Sequence, residues 1–332
     1  MRRSHPLFTL LTATVLAIAL TACGGDDEEP AAGGGGAAAE PAQEEASSTQ
    51  IKPIAGAEGK TLTVGSKNFT EQFVLGEIYS QALEAAGFTV KRQLNLGSEI
   101  IANKALKSGE IDAYPEYTGT ALTSFFDVKT ADVPRDAMEA FEQAKAGYAE
   151  NEITALPPTP FENTFRLGMT KEGAAKVGDP KTISDLEPNA SKLSINGFPE
   201  CRQRQDCLLG VQDTYGFEFG KFVASEQKYQ VLDSGDADVA FVFTTDGDLA
   251  SGKYVVLDDD KKFFPPYNIT FAMRNDALEK VGPEGQEVIE RVQKPLTEKV
   301  MQELNARVDV DKAKPADAAR QYLQSAGFTG GS

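Results

Sequence analysis

Four aromatic residues stand where a pocket could use their ring faces: Tyr117, Phe165, Phe243 and Tyr267. The face of an aromatic ring is electron-rich, so several rings around one point favour a cation, above all a bulky quaternary ammonium. Each contact contributes about 0.5 to 2 kcal/mol, and four together about 2–8 kcal/mol, whereas micromolar affinity requires about 8 kcal/mol. The rings therefore need a polar anchor beside them. For any single ring, the alternative is an ordinary place in the hydrophobic core.

The composition excludes several other kinds of chemistry. The 332 residues include one histidine, His5, in a segment that we expect to be removed. A mature chain without histidine has no Ser-His or Cys-His pair and no histidine-ligated zinc, so we expect no cofactor and no metal. The net charge of −17 argues against a nucleic-acid partner, because phosphates are held by clustered Lys and Arg. The sequence lacks a Gly-x-x-x-x-Gly-Lys-Ser/Thr loop, so any ATPase must be another chain.

From Thr61 the chain alternates between strand and helix patterns. Residues 62–64 predict a buried strand, and Asn68 followed by Glu71 fits a capping box at the start of a helix. Apolar residues at helical spacing continue this helix to Gly87. We then expect a strand over residues 89–96, a helix over 98–107 and a strand over 111–114. This order predicts an α/β fold with a parallel sheet, whose ligands gather at the carboxyl ends of the strands.

The region around the third strand recurs later in the chain. Six positions match at a constant separation of 126 residues: Leu106, Ser108, Gly109, Asp112, Tyr117 and Thr118 correspond to Leu232, Ser234, Gly235, Asp238, Phe243 and Thr244. Both copies have the pattern of a helix end, a Ser-Gly turn, a strand with an Asp, and an aromatic residue followed by Thr. The repeat indicates two similar lobes whose equivalent aromatic residues face a shared cleft.

Two segments predict the connections between these lobes. Residues 160–165 and 266–271 each begin a strand-like stretch after prolines, and they flank the middle of the chain. We expect lobe 1 to comprise residues 59–163 and 266–328, including tail helices over 286–304 and 316–326, and lobe 2 to comprise residues 164–265. Two crossovers form a hinge, and a hinge allows a cleft to close on a ligand.

The N-terminus is typical of a secretory signal, which we assign to residues 1–22. Arg2 and Arg3 precede an apolar run over residues 7–20, shorter than the roughly 20 residues of a membrane span. The sequence Leu20-Thr21-Ala22-Cys23 resembles the bacterial lipobox, whose cysteine is lipidated; the alternative is a plain signal peptide with an incidental cysteine. Residues 23–58 are rich in Gly, Ala, Glu and Pro, which predicts a disordered tether. We expect an extracytoplasmic protein, anchored to the cell membrane through Cys23.

The other two cysteines, Cys201 and Cys207, are close in sequence. A zinc site would need further ligands, and the nearby sequence offers none. Outside the cytoplasm we expect a disulfide, which closes a short loop and has no role in chemistry.

Several motifs together resemble a known family. They are Gly65-Ser-Lys-Asn-Phe-Thr-Glu-Gln72, Asn95-Leu-Gly-Ser98, Glu116-Tyr-Thr-Gly-Thr120, Thr245-Asp-Gly247 and Phe263-Phe-Pro-Pro-Tyr267. In this order they are similar to the ABC-transporter substrate-binding proteins for glycine betaine, carnitine and choline, the ProX or OpuAC-like family, over residues 60 to 328. The resemblance implies a two-lobed periplasmic-binding-protein fold of class II, with two crossover strands and a ligand cleft between the lobes.

The family's aromatic cage can be placed on this sequence by its motifs. Its four tyrosines correspond to Tyr117, Phe165, Phe243 and Tyr267, so two positions keep the ring and lack the hydroxyl. The resemblance implies that Thr120 contacts the ligand. It also offers four side chains that could hydrogen-bond a ligand, for each of which a capping or turn role is the alternative: Gln72, Asn68, Ser98 and Asn163. Lys67 and Arg166 are neighbours that could meet a ligand carboxylate or point to solvent.

The resemblance implies a monomeric substrate-binding protein of an ABC importer, not an enzyme. It would capture a quaternary-ammonium compatible solute and deliver it to a permease driven by a separate ATPase. One alternative is a ligand-sensing lipoprotein. Another is a dehydratase-like enzyme on the same scaffold, with an acid–base pair drawn from four carboxylates: Asp112, Glu116, Asp238 and Asp246.

The lipid anchor gives a first testable prediction. Cys23→Ala removes the sulfur that would bear the diacylglyceryl group, so we expect the variant to leave the membrane fraction. Membrane flotation followed by immunoblotting measures this. A variant that still floats with membranes would contradict the anchor.

Overall fold

Ten strands form two five-stranded sheets in residues 49–204 and 206–330, the part of the chain that the computed structural model describes. In chain order the strands are β1 (Thr61–Gly65), β2 (Thr89–Gln93), β3 (Ala113–Tyr117), β4 (Ile153–Ala155), β5 (Phe165–Thr170), β6 (Ser194–Gly197), β7 (Lys221–Ala224), β8 (Val239–Phe243), β9 (Tyr254–Leu257) and β10 (Ile269–Arg274). The first sheet has the order β2-β1-β3-β10-β4, and the second has the order β7-β6-β8-β5-β9. Lobe 1 is the part of the fold built on the first sheet, and lobe 2 is the part built on the second.

Helices cover the sheets. They are α1 (Thr70–Ala85), α2 (Glu99–Ser108), α3 (Thr118–Phe125), α4 (Ala137–Ala149), α5 (Lys171–Lys176), α6 (Leu208–Tyr215), α7 (Lys228–Ser234), α8 (Asn275–Gln293), α9 (Glu298–Asp309) and α10 (Pro315–Ser325). Helix α1 packs against α8, α9 and α10 of the tail. Its apolar residues, including Leu75 and Ile78, are fully buried with Phe271 of β10. Burial of each such side chain stabilises the fold by about 1.5–3 kcal/mol.

The two sheets have the same topology, which confirms the prediction of two similar lobes that rested on the 126-residue repeat. In each, three parallel strands (β2, β1, β3 or β7, β6, β8) are followed by an antiparallel strand, β10 or β5. The repeated aspartates have equivalent places: an Asp112 carboxylate oxygen accepts from the Thr63 N–H at 2.8 Å, and one of Asp238 accepts from the Ser194 N–H, also at 2.8 Å. Each therefore ties the beginning of the strand that follows it to the neighbouring strand of the sheet. Their role is structural, against the acid–base alternative.

The two crossovers run side by side. Glu162 and Asn268 form an antiparallel bridge, and the Asn163 N–H donates to the Tyr267 carbonyl at 3.1 Å. The Thr164 hydroxyl donates to the Pro265 carbonyl at 2.9 Å. Both connections between the sheets are thus held together at one place. The exact lobe boundaries, at 163/164 and 265/266, remain predictions.

Local backbone geometry corrects two predicted elements. Strand β2 ends at Gln93, short of the predicted Leu96, because Asn95 (φ 67°) and Gly97 (φ 122°) lie in the left-handed region. The capping box is wrong as well. Helix α1 begins at Thr70 after Phe69, without a side-chain cap, and Asn68 is exposed. Glu71 turns inward to other partners.

Two predictions on chain ends also need correction. The predicted tether over residues 23–58 is too long, because Ile51 and Ala57 are buried in the core of lobe 1 and the Ile51 N–H donates to the Phe328 carbonyl at 2.8 Å. The tail helix predicted over 286–304 is two helices, α8 and α9, separated by a turn that contains Pro295. Proline removes a backbone donor and disfavours a continuous helix.

The signal peptide, Cys23 and the tether before residue 49 lie outside the described residues. Among the helices that are described, none has the length and hydropathy to cross a membrane.

Candidate functional site

All four predicted aromatic residues line one cleft with a volume of 770 Å³. Tyr117 and Phe243 end the equivalent strands β3 and β8, Phe165 begins β5, and Tyr267 lies two residues before β10. The cleft therefore lies at the carboxyl ends of the parallel strands, beside the crossovers, as the strand order predicts.

The two rings of lobe 2 stack on each other. Phe165 and Phe243 are paired across β5 and β8, which places their ring centroids 4.5 Å apart at 28°. The Lys228 ammonium lies 4.5 Å from the Phe243 centroid and pairs with Asp246. Lobe 2 therefore offers the ligand an apolar stack with an ammonium group on it, in place of two separate ring faces.

In lobe 1, Tyr117 also lies next to a lysine. The Lys67 ammonium is 4.3 Å from the Tyr117 centroid and forms a buried ion pair with Glu116. Glu116 accepts further hydrogen bonds from the Tyr114 hydroxyl at 2.9 Å and the Tyr117 N–H at 2.7 Å. Burial, with the Glu71 carboxylate nearby, raises the pKa of Tyr117 well above its usual value, so the hydroxyl stays protonated. Tyr117 is only 4% exposed, which leaves little of the ring open in this conformation.

Tyr267 and the preceding Pro266 pack closely against Gly119 of α3. A Cβ at Gly119 would meet the Pro266 carbonyl oxygen and the Tyr267 ring at 2.8 Å, so only glycine allows this approach. Burial, with the Asp206 carboxylate nearby, raises the pKa of Tyr267 to about 12. The ring enters the cleft as a neutral phenol.

Glu71 is a site residue that the sequence analysis assigned to the helix cap. One carboxylate oxygen accepts from the Tyr117 hydroxyl at 2.7 Å and the Asn163 amide at 3.0 Å, and the other accepts from the Asn305 amide at 3.2 Å. The Thr245 side chain is a fourth hydrogen-bond partner, and burial raises the pKa of Glu71 above its ordinary value. Glu71 therefore joins α1, β3, a crossover, α9 and the end of β8.

The predicted polar residues fall into two groups. Thr120, Asn68, Ser98 and Asn163 line the cleft. Gln72 does not: its side chain is fully buried behind the wall, and its carbonyl accepts from the Lys67 N–H at 3.1 Å. In this conformation Gln72 supports Lys67, and direct contact with a ligand stays a prediction.

The cysteine loop comes closer to the site than the sequence indicated. The Cα atoms of Cys201 and Cys207 are 5.3 Å apart, a separation that suits a disulfide, and both residues are buried. Between them, Arg204 and Asp206 line the cleft and pair with each other. The loop between the cysteines therefore borders the cleft, and its having no role in chemistry stays a prediction. Arg166, by contrast, pairs with Glu162 and is absent from the cleft lining.

The carboxylates offered to the enzyme alternative have other partners. Asp112 and Asp238 join strands, Glu116 pairs with Lys67, and Asp246 pairs with Lys228. Within the described residues no group of three or more His, Cys, Asp or Glu side chains could hold a metal ion.

Fold and site define a class: a two-lobed α/β binding protein with its ligand cleft between the lobes. Residues 60–325 match the family described as the substrate-binding domain of ABC-type glycine betaine transport systems, and the chain belongs to this family. The family consists of transport proteins.

Individual relatives agree with this. The chain is 32% identical to the ergothioneine transport permease/ergothioneine binding protein EgtU of Helicobacter pylori, over 85% of this chain and 51% of the relative, so it spans about half of that protein. It is also 32% identical to a glycine-betaine-binding protein of Pseudomonas aeruginosa, over 81% of this chain and 88% of the relative. A crystal structure described as a glycine betaine/carnitine/choline ABC transporter superposes with a TM-score of 0.75 at 27% identity, over 80% of this chain and 98% of that one.

The buried ion pair under Tyr117 gives a second testable prediction. Lys67→Met leaves the Glu116 charge buried without its cation, so we expect the free energy of unfolding to fall by about 3–5 kcal/mol at pH 7. Urea unfolding measures the loss. Adding Glu116→Gln should restore most of it, because the buried charge is then gone.

The control is Lys176→Met, since Lys176 pairs with Glu172 on the surface, where the two side chains are 70% and 83% exposed. That variant should lose less than about 1 kcal/mol. An equal loss in Lys67→Met and Lys176→Met would contradict the importance of the buried pair.

Proposed function

We propose that this protein captures a quaternary-ammonium compatible solute in an aromatic cleft and delivers it to the permease of an ABC importer. The observation that carries the proposal is that Tyr117, Phe165, Phe243 and Tyr267, from both lobes and both crossovers, line one cleft. The match to the glycine betaine transport family supports the same ligand class.

The lysines beside the rings support a cation-binding role for these aromatic residues. Lys67 and Lys228 lie 4.3 Å and 4.5 Å from the centroids of Tyr117 and Phe243, inside the distance over which a ring attracts a cation. A quaternary ammonium has the same charge and a larger apolar surface, so it suits the same rings. On closure of the lobes, it would compete with these ammonium groups for the ring faces.

The basic side chains also suit a ligand that has an acidic end. Arg204, Lys67 and Lys228 line the cleft together with the hydroxyl of Thr120. Glycine betaine and ergothioneine, which name two of the relatives, each combine a trimethylammonium group with a carboxylate. We propose that the rings hold the ammonium end and that these donors hold the carboxylate. The Phe165–Phe243 stack lacks the two hydroxyls of the family pattern, so these rings themselves offer a ligand no hydrogen bond.

The location of the protein follows from the same proposal. Substrate-binding proteins of ABC importers act outside the cytoplasm. We propose that residues 1–22 are a signal peptide, that Cys23 is lipidated, and that a tether leads from it to the folded body, which acts as a monomer. A disulfide between Cys201 and Cys207, stable in an oxidising compartment, would hold Arg204 and Asp206 at the cleft.

The aromatic cleft gives a third testable prediction. Tyr117→Ala and Tyr267→Ala each remove a ring face and its packing, so we expect binding to weaken by about 1–3 kcal/mol. Isothermal titration calorimetry with glycine betaine and choline measures the change. The matched control is Tyr267→Phe, which keeps the ring and should keep most of the affinity. If both alanine variants bind as the wild type does, the aromatic cleft is not the ligand site.

A further inference from the structure

Each of the three cationic side chains that line the cleft in the described part of the chain pairs with a carboxylate. Three ion pairs lie there among the described residues: Lys67–Glu116, Lys228–Asp246 and Arg204–Asp206. Glu71 also lines the cleft and is 3% exposed, but its hydrogen-bond partners are the neutral side chains of Tyr117, Asn163, Asn305 and Thr245. When ionised, its carboxylate is therefore a buried negative charge that neutral hydrogen-bond donors stabilise, because none of these four partners is a cation.

The geometry of these donors favours the ionised carboxylate. An ionised carboxylate is an acceptor with about four lone-pair sites, and four side chains can donate to it here. The two amides can only donate through their N–H groups at 3.0 Å and 3.2 Å, and Asn305 also donates to the Thr245 carbonyl at 2.8 Å. A proton on Glu71 would displace one of these donors, turn a hydroxyl around or turn over the Asn163 amide, whose carbonyl oxygen has no hydrogen-bond partner among the described residues.

Glu71 acts on the cleft through Tyr117. The Tyr117 hydroxyl donates to the carboxylate at 2.7 Å, so the position of the ring is tied to it. A phenol that donates to a carboxylate becomes more electron-rich, which strengthens its attraction for a cation. In a buried place the carboxylate also acts directly on a cation in the cleft, because little solvent screens it.

We propose that Glu71 is a positioning residue that makes the cleft sensitive to ligand charge: its ionised carboxylate holds Tyr117 and favours ligands with a net positive charge. This inference rests on the proposed function, since it requires a quaternary ammonium ligand. It goes further by ranking that class, because choline is a net cation whereas glycine betaine is a zwitterion.

Proton linkage gives the proposal a measurable sign. Burial raises the pKa of Glu71, so this carboxyl group takes up its proton at a higher pH than an exposed glutamate does. As the pH rises through that pKa, the carboxylate forms and choline should bind more tightly; equally, bound choline should lower the pKa. Other charged groups on the elements around Glu71 include Lys67 with Glu116, Lys228 with Asp246, and Glu162 with Arg166. They also include Asp248 and Asp309, and Asp309 accepts from the Thr70 hydroxyl at 2.6 Å.

The test compares wild type with Glu71→Gln by isothermal titration calorimetry, with choline and with glycine betaine, from pH 5 to 8.5. We expect Glu71→Gln to weaken choline about tenfold at pH 8, to weaken glycine betaine much less, and to flatten the pH dependence of choline binding. The matched control is Glu84→Gln, which removes the same charge from the exposed end of α1, where Glu84 pairs with Arg92. It should bind both probes as the wild type does.

A second measurement needs no variant and covers the case that Glu71→Gln does not fold. In wild-type protein labelled with ¹³C at the glutamate carboxyls, the Glu71 resonance should titrate at a lower pH with choline than without it. An unchanged titration would overturn the proposal, as would Glu71→Gln with wild-type choline affinity and pH profile. Wild type that binds glycine betaine but not choline would overturn the role of Glu71 alone, whereas wild type that binds neither would refute the proposed function itself.

Discussion

Charges buried in the wall of a cleft have to be offset in place, and this constraint organises the site. An ion removed from water loses several kcal/mol of hydration, which a close partner of opposite charge, good hydrogen bonds, or both must replace. Lys67 lies beside the Tyr117 ring because Glu116 holds it there, and Glu116 itself accepts hydrogen bonds from the Tyr114 hydroxyl and the Tyr117 N–H. The ring, the ion pair and the end of β3 therefore form one unit. A ligand that enters the cleft meets charges that are already fixed in position.

The repeated topology explains why such units occur in both lobes. Strands β3 and β8 end with an aromatic residue at equivalent places, and each is paired with an antiparallel strand that comes from a crossover. A lysine ammonium lies close to the aromatic ring in both lobes, although Lys67 precedes α1 and Lys228 begins α7. The lobes thus reach a similar arrangement of charge and ring from different elements. Helix α9 adds a link between the lobes. Gly247, which follows β8 of lobe 2, has no side chain, so the backbone of Ala306 in α9 can approach it closely.

Local patterns in the sequence were enough to predict the architecture. Hydrophobic spacing identified α1, and the 126-residue repeat identified the two lobes and the strand ends that hold Tyr117 and Phe243. The pattern was misleading at Asn68, where the apparent cap is exposed because Glu71 has stronger partners in the interior. The packed residues 49–58 were also missed, since Ile51 and Ala57 are isolated apolar residues in a segment of tether-like composition.

The contacts inside the site were beyond sequence analysis for a physical reason. Glu71 meets Tyr117 and Asn305, which are 46 and 234 positions away in the chain. Lys228 and Arg204 lie in segments without a recognisable motif, and only the folded chain brings them to the cleft. The resemblance to a family could place the four rings, because rings at strand ends follow motifs. It could not show that Phe165 and Phe243 stack, which depends on the register of β5 against β8.

The central claim is that the cleft binds a quaternary ammonium compound, and thermal unfolding of the purified protein with candidate solutes tests it most directly. Glycine betaine, choline and carnitine would be compared with proline and ectoine, which lack a trimethylammonium group. A ligand at 100 times its dissociation constant adds about 2.7 kcal/mol to the stability of the folded state, which raises the midpoint by about 5 °C. We expect this rise with one or more of the quaternary ammonium compounds and none with proline or ectoine. A rise with proline alone, or with none of the five, would contradict the account.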